Sequence, residues 1–361
     1  MIKVVLVGGG HVHLHFIKQL SNNRLDGLEV ILISPSLYQY YSGMFSGYAE
    51  GLYEEEDIRL DLQKLSKKAT VTFIEDAVVK IHPNENYVTL KGEETVNYDI
   101  ISFDIGSETL GSEKSDIMSH AQFIKPNNRF TQTIEHVRSA SKPVIVGGGI
   151  AGIELSFSIH AWRNNRKIQS PITLVTASRL LESEDKKTSE KLFEKFKKTN
   201  INLLTNSKVD SINHRAIHFN NGKELSYEKI LWLTGPKSSN LFKRSELETD
   251  DKGFLMVTNS LQSMDYENIF AAGDCATLID YPNLPKNGVY AIKQAPILYK
   301  NVLRYIKREP FEYFKPQNRF LSILSLGNRR ALLLYGGMSL SGKFPWRLKN
   351  YIDKKYIDSF K

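Results

Sequence analysis

The chain holds one cysteine, Cys275, in 361 residues. A single thiol forms no intramolecular disulfide, builds no cysteine-rich metal site and supplies no dithiol redox pair, so thiol chemistry needing two sulfurs is excluded. Long apolar runs are missing too. No uncharged stretch approaches the ~20 residues needed to cross a bilayer. Met1-Ile2-Lys3, four apolar residues and three glycines do not make a secretory signal, so the expected location is cytoplasmic, with a peripheral position on the inner face of a membrane left open. Neither aromatics (11%) nor hydrophobic residues (41%) are scarce, which excludes disorder and fibrous repeats. At about 100–200 residues per domain, two or three domains are expected.

Charge is unevenly placed. Between Phe311 and Lys361 ten Lys/Arg stand against three Asp/Glu, so this stretch carries +7 of the chain's +8. A basic tail on a nearly neutral body calls for an anionic surface for the tail alone, and no nucleic-acid partner is expected.

What is present is a repeat. Lys3-Val4-Val5-Leu6-Val7 runs into Gly8-Gly9-Gly10, and Pro143-Val144-Ile145-Val146 runs into Gly147-Gly148-Gly149, 139 residues later. A helical stretch follows each, then a second apolar strand, Val30 to Ile33 and Ile172 to Val175, giving βαβ twice. Later in each copy a tyrosine and an acid lead an apolar strand to a glycine, Tyr98-Asp99 to Gly106 and Tyr227-Glu228 to Gly235. Two doubly wound nucleotide-binding halves explain this with one assumption.

Glycines belong after such strands because a dinucleotide pyrophosphate must approach the first amides of the helix, where the macrodipole favours an anion and a Cβ would obstruct it. The second copy has the full spacing, Gly147, Gly149 and Gly152. The first has Gly8 and Gly10 but His13 at the third position, so its helix is expected to sit farther from the strand. His11 and His15 share a helical face, but with no further ligand nearby the imidazole is better read as a hydrogen-bond donor to phosphate than as a metal ligand. The acid that usually ends the second strand and binds a ribose is replaced by Ser34 and Thr176. Without that carboxylate, and with Arg179 nearby, the second site leans slightly toward tolerating a 2′-phosphate.

A third element, the strand-like Asn268 to Ala272, leads to Gly273-Asp274-Cys275-Ala276 and then to a helix opening near Gly288-Val289. With Thr234-Gly235-Pro236, these features over roughly residues 1–305 resemble the FAD-dependent pyridine nucleotide oxidoreductases, flavoproteins with two dinucleotide domains. The resemblance implies FAD held by Gly8, Gly10, His11, Ser34, Gly106, Asp274, Gly288 and Val289, and NAD(P)H held by Gly147, Gly149, Gly152, Glu154 and Thr176. Asp274 would accept from the ribitol, and the helix at Gly288 would aim its N-terminus at the flavin ring, where negative charge develops on reduction. Gly8-Gly9-Gly10-His11-Val12-His13, Asp104-Ile105-Gly106-Ser107, Gly288-Val289-Tyr290-Ala291 with Gln294, and Trp346 to Asp353 are similar to flavoproteins associated with selenophosphate synthetase. Type II NADH:quinone oxidoreductases are similar as well; there a glutamate matching Glu154 lies near the nicotinamide, although a first-turn acid stabilised by the helix dipole reads the same. Disulfide reductases carry a cysteine pair where this chain has Tyr40-Tyr41-Ser42-Gly43-Met44-Phe45, and Cys275 reads as a small buried residue.

Toward the C-terminus, Pro296 is expected to kink its helix or start a new one. Phe320 to Leu326 and Arg330 to Tyr335 read as a hairpin around Gly327-Asn328-Arg329. Residues 344–361 read as a basic amphipathic helix that packs on the body or a second subunit, or lies on an anionic membrane. The expected fold is α/β, with an NAD(P) domain (111–239) inserted in an FAD domain (1–110 and 240–310) and a C-terminal hairpin and helix (311–361). The expected activity is hydride transfer from NAD(P)H to flavin and on to a non-disulfide acceptor. A quinone comes first and a small selenium or sulfur species second; a redox sensor without efficient turnover is the alternative, and a homodimer is left open.

Overall fold

The structure, a computed structural model, describes residues 1–23, 25–317 and 319–361. Strand β1 (Ile2–Val7) turns through the glycines into α1 (His11–Asn22), and β2 (Leu28–Ile33) returns parallel to β1. The short helix α2 (Phe45–Glu50), β3 (Thr72–Ile74), an antiparallel meander over 78–97 and β4 (Ile100–Phe103) follow. The second copy repeats the pattern with β5 (Pro143–Val146), α3 (Ile150–Asn165), β6 (Ile172–Val175), β7 (Ile201–Leu204), a second meander over 209–226 and β8 (Lys229–Trp232). Strand β9 (Ile269–Ala271) and the long helix α4 (Gly288–Lys307) complete the first half.

Each half is a parallel five-stranded sheet. The orders are β9-β4-β1-β2-β3 and, in the second, the short strand Ala121–Gln122 followed by β8-β5-β6-β7. The first glycine-ended strand is central in both, with helices on its faces, which is why its apolar run is continuous rather than alternating: Val4, Val5 and Leu6 are wholly buried. The edge strand of each sheet comes from beyond its own βαβ unit, so the second half is inserted into the first. The two crossing segments pair as a ribbon, Glu108–Thr109 against Pro236–Lys237, with Lys237 Nζ 3.7 Å from Glu108 and 3.4 Å from Glu113.

No new helix starts at Pro296, and the expected C-terminal hairpin gains a third strand. Helix α4 runs unbroken from Gly288 to Lys307 with Pro296 inside it, held by the buried faces of Tyr290, Ala291, Gln294, Ala295, Leu298 and Val302. This burial offsets the one backbone hydrogen bond that proline removes. The C-terminal hairpin is a three-stranded antiparallel sheet, β10 (Ser322–Ser325), β11 (Ala331–Tyr335) and β12 (Met338–Gly342), leading directly into α5 (Lys343–Asp358).

Arg163, at the end of α3, is 1% exposed. Its guanidinium donates to the carbonyls of Arg138 and Ala140, both at 2.7 Å, and of Ser170 at 3.1 Å. Arg163→Met leaves the buried Ala140 carbonyl and the half-buried carbonyls of Arg138 and Ser170 without this donor, at about 1–3 kcal/mol for the buried one, so urea unfolding is expected to show a loss of at least about 1 kcal/mol; no measurable loss would refute this role.

Candidate functional site

Both glycine turns are built by the same close approach of backbone to backbone. A Cβ on Gly8, at φ +91°, would lie 2.4 Å from the Asp104 carbonyl oxygen, and one on Gly147, at φ +131°, 2.2 Å from that of Leu233. Gly8 N donates to Ile33 and Asp104 N to Val7; Gly147 N donates to Val175 and Leu233 N to Val146, all at 2.8–2.9 Å. In the second copy the third glycine brings helix and turn together, since a Cβ on Gly152 would lie 1.9 Å from the Gly147 carbonyl oxygen. In the first copy the His13 imidazole fills that space: Nδ1–H donates to the Gly8 carbonyl at 2.6 Å and Nε2 accepts from the Ser102 hydroxyl at 2.8 Å. Burial lowers its pKa to about 4.

The three histidines are directed to separate partners. His11 Nδ1 lies 2.6 Å from the Tyr356 hydroxyl, with the ring edge-on to Tyr41 and Tyr356, while His15 meets Tyr299. His11 also lies beside the start of α4, where a Cβ on Gly288 would come within 3.2 Å of its Nε2.

The two turns differ in access. Gly8 and Gly9 are buried, whereas Gly149, Ile150 and Ala151 are exposed. At the start of α1 the Asp104 carboxylate accepts from Val12 N and His13 N, whereas no side chain caps α3 at Gly149, and a Cβ on Gly106, Gly149 or Gly235 would meet nothing within 4 Å. The open N-terminus of α3 and the free space at Gly106 and Gly235 fit dinucleotide pyrophosphates. Ser34 is buried at the end of β2, donating to the Ser36 carbonyl, and Thr176 is buried against Gly148. Arg179 is not free for a 2′-phosphate: its guanidinium binds the carbonyls of Leu181, Glu182 and Glu184 and the hydroxyl of Ser189. Arg179 therefore gives the second site no lean toward a 2′-phosphate.

Asp274 lies in a short 3-10 turn, Gly273–Cys275, and caps no long helix; Asn287 caps α4 by accepting from Val289 and Tyr290. Across the cleft, Lys125 Nζ approaches both Asp274 (3.5 Å) and Ser107 Oγ (2.5 Å). Sequence reasoning missed Lys125, which sits in a connecting segment 149 residues from Asp274, with only Lys125-Pro126 to mark it. Cys275 is buried, its thiol directed at the carbonyls of Ala272 and Phe103 and its pKa pushed up by burial to about 12.

The C-terminal helix docks on this site. Lys349 Nζ meets Asp353 at 2.7 Å and also reaches the Gly43 carbonyl; Asp353 accepts from the Tyr41 hydroxyl at 3.0 Å. Glu154, partly buried on α3, accepts from Ser325 N at 2.7 Å. Burial raises its pKa, opposed by Lys349 and by the Ser325 amide. Of the apolar residues in 344–361, Phe360 is buried on the body and Trp346 and Leu348 are half-buried, while Ile352 stays exposed.

Two parallel sheets of the same order, each with a glycine turn at the end of its central strand, define a two-dinucleotide-domain oxidoreductase fold. Residues 2–295 match the family model described as pyridine nucleotide-disulphide oxidoreductase, and the chain belongs to that family. It is 24% identical to a probable NADH dehydrogenase of Dictyostelium discoideum over 94% of this chain and 82% of that protein. It is also 24% identical to a type II NADH:quinone oxidoreductase of Haemophilus influenzae over 95% and 88%. Among solved structures, the sulfide:quinone oxidoreductase of Aquifex aeolicus superposes with a TM-score of 0.82 at 19% identity, over 100% of this chain and 91% of that one. NDH2 of Plasmodium falciparum with NADH gives 0.81 at 17%, over 99% and 98%.

Two tests follow from the turns. Gly152→Val drives a side chain into the Gly147 carbonyl, so reduction by NAD(P)H should fall at least tenfold while flavin stays bound; unchanged stopped-flow reduction would sink the assignment of the second turn. His13 is neutral when folded, so the unfolded chain binds the proton more tightly below pH 6.5. Stability is therefore expected to fall by on the order of 3 kcal/mol between pH 6.5 and about 4, and His13→Gln to flatten that slope.

Proposed function

We propose that the protein is an FAD-dependent NAD(P)H oxidoreductase whose acceptor is a quinone. The observation that carries the reading is the contrast between the turns: the first is enclosed, as a resident cofactor requires, and the second is open, as a dinucleotide that arrives and leaves requires. FAD would supply hydride acceptance and electron transfer. Gly8, Gly10, His11, Ser34, Gly106, Asp274, Gly288 and Val289 would hold it, with Lys125 and Ser107 joining Asp274. Gly147, Gly149, Gly152 and Thr176 would hold NAD(P)H. A chain with one buried thiol of high pKa has no dithiol to relay electrons, which supports a non-disulfide acceptor although the family's name refers to disulphides.

Quinone reduction by NAD(P)H needs one proton beyond the transferred hydride. Glu154 is suited to hold it, because burial favours its protonated form and Lys349 and Ser325 fix its position. The membrane is the source of quinone that the surface supports. Phe344 (65% exposed), Tyr351 (61%) and Met338 (67%) project outward beside Arg347, Lys354 and Lys355, while the opposite face of α5 is docked. Among the described residues no helix is long and apolar enough to cross a membrane.

The protein should purify yellow with FAD and turn over NAD(P)H with a short-chain quinone; single reduction followed by a stall would instead favour a sensor. Glu154→Gln is expected to slow quinone turnover roughly 10²-fold while flavin reduction changes little, and Cys275→Ser to leave both intact. Phe344→Asp with Tyr351→Asp should abolish salt-sensitive sedimentation with anionic vesicles without loss of flavin. Truncation after Lys343 is expected to damage the fold, because it removes Asp353 and Tyr356 from buried partners.

A further inference from the structure

Asp104 directly follows β4, beside the first glycine turn. It is 5% exposed. Its Oδ2 accepts from Val12 N at 2.7 Å and His13 N at 3.3 Å, the opening amides of α1. Its carboxyl group is caged by glycines: a Cβ on Gly10 would lie 2.3 Å from Oδ2, and one on Gly273 2.9 Å from Oδ1. Gly10 is therefore required by a carboxylate of the chain itself as well as by any ligand. Among the described residues no lysine or arginine is paired with it. Lys125 is turned to Ser107 and Asp274, and Lys286 to Ala276 and Thr277.

An FAD pyrophosphate at this helix N-terminus brings two negative charges to the place where an unpaired carboxylate already uses the helix amides. Two anions cannot share that site at low cost, and the glycine cage leaves the side chain buried against the turn. We propose that Asp104 becomes a neutral, protonated neighbour of the FAD pyrophosphate, so that FAD uptake consumes one proton from solvent. The inference rests on FAD occupying the first dinucleotide site.

The environment is suited to this. Burial pushes the Asp104 pKa up to about 7, aided by Asp274 and opposed by the Val12 and His13 amides. The other groups facing it titrate elsewhere. On α1, His11 and His13 are held near 4; Cys275 is pushed up to about 12 and Tyr356 above the usual tyrosine range, all by burial. Lys286, lowered by burial, faces Cys275 and Asp274.

The test is FAD binding to the full chain, followed by flavin fluorescence between pH 6 and 9, with proton uptake measured calorimetrically in buffers of different ionisation enthalpy. Above an apoprotein pKa of about 7, the wild-type Kd should rise about tenfold from pH 6 to 8 and on the order of 100-fold by pH 9, with uptake approaching one proton per FAD. Asp104→Asn keeps an acceptor for Val12 N without the charge, so its Kd should change less than about twofold over the same range, with no proton taken up. Because each protein is compared with itself across pH, a general change in affinity does not obscure the result. A flat wild-type profile, or the same slope in Asp104→Asn, overturns the role of Asp104. Failure to bind FAD at any pH overturns the flavoprotein reading along with it.

Discussion

The site depends on how closely backbone approaches backbone where each central strand turns into its helix. The Gly8 and Gly147 turns press against the carbonyls that end β4 and β8, at separations no Cβ permits. That contact fixes where the first helix amides point, and so where an anion can be held. It also fixes what else can enter. One turn accommodates a third glycine, and the other compensates with an imidazole bonded across to Ser102. The two halves thus keep one topology with different local chemistry.

The C-terminal unit touches both halves. Helix α5 reaches the first half through His11–Tyr356 and Tyr41–Asp353, and the sheet before it reaches α3 of the second half through Ser325–Glu154, while Gly149 itself stays exposed. A buried lysine is costly unless paired, and Lys349 is held between Asp353, the Gly43 carbonyl and the nearby Glu154. One face of α5 therefore belongs to the site and the other to the surface. The same helix that closes the cofactor region presents aromatic and basic residues outward.

Within a family named for disulphide chemistry, the thiol here is inert by position. Cys275 is buried among carbonyl oxygens and disfavours the thiolate. Two carboxyls of the site, Asp104 and Glu154, are shifted upward by burial. Charge in this cleft is managed by acids that can be neutral, which matches a site meant for anionic dinucleotides.

The repeat, the glycine turns, the α/β class and the lack of a thiol pair were legible in the sequence, because each is local: apolar strands announce burial on both faces, and Gly8 or Gly147 after such a strand announces a backbone that turns with positive φ. The turn at Gly273-Asp274 after β9 was legible from its motif. Lys125, the role of His11 and the docking of α5 were not, since each joins residues 149 to 345 positions apart and no spacing rule encodes such a contact. Arg179 and Pro296 misled for the same reason: loop carbonyls claimed the guanidinium, and tertiary burial carried the helix through the proline. Local sequence determined which elements form and where the chain can approach an anion; only the packing of distant elements decided which charges meet there, because burial and pairing are properties of the assembled fold.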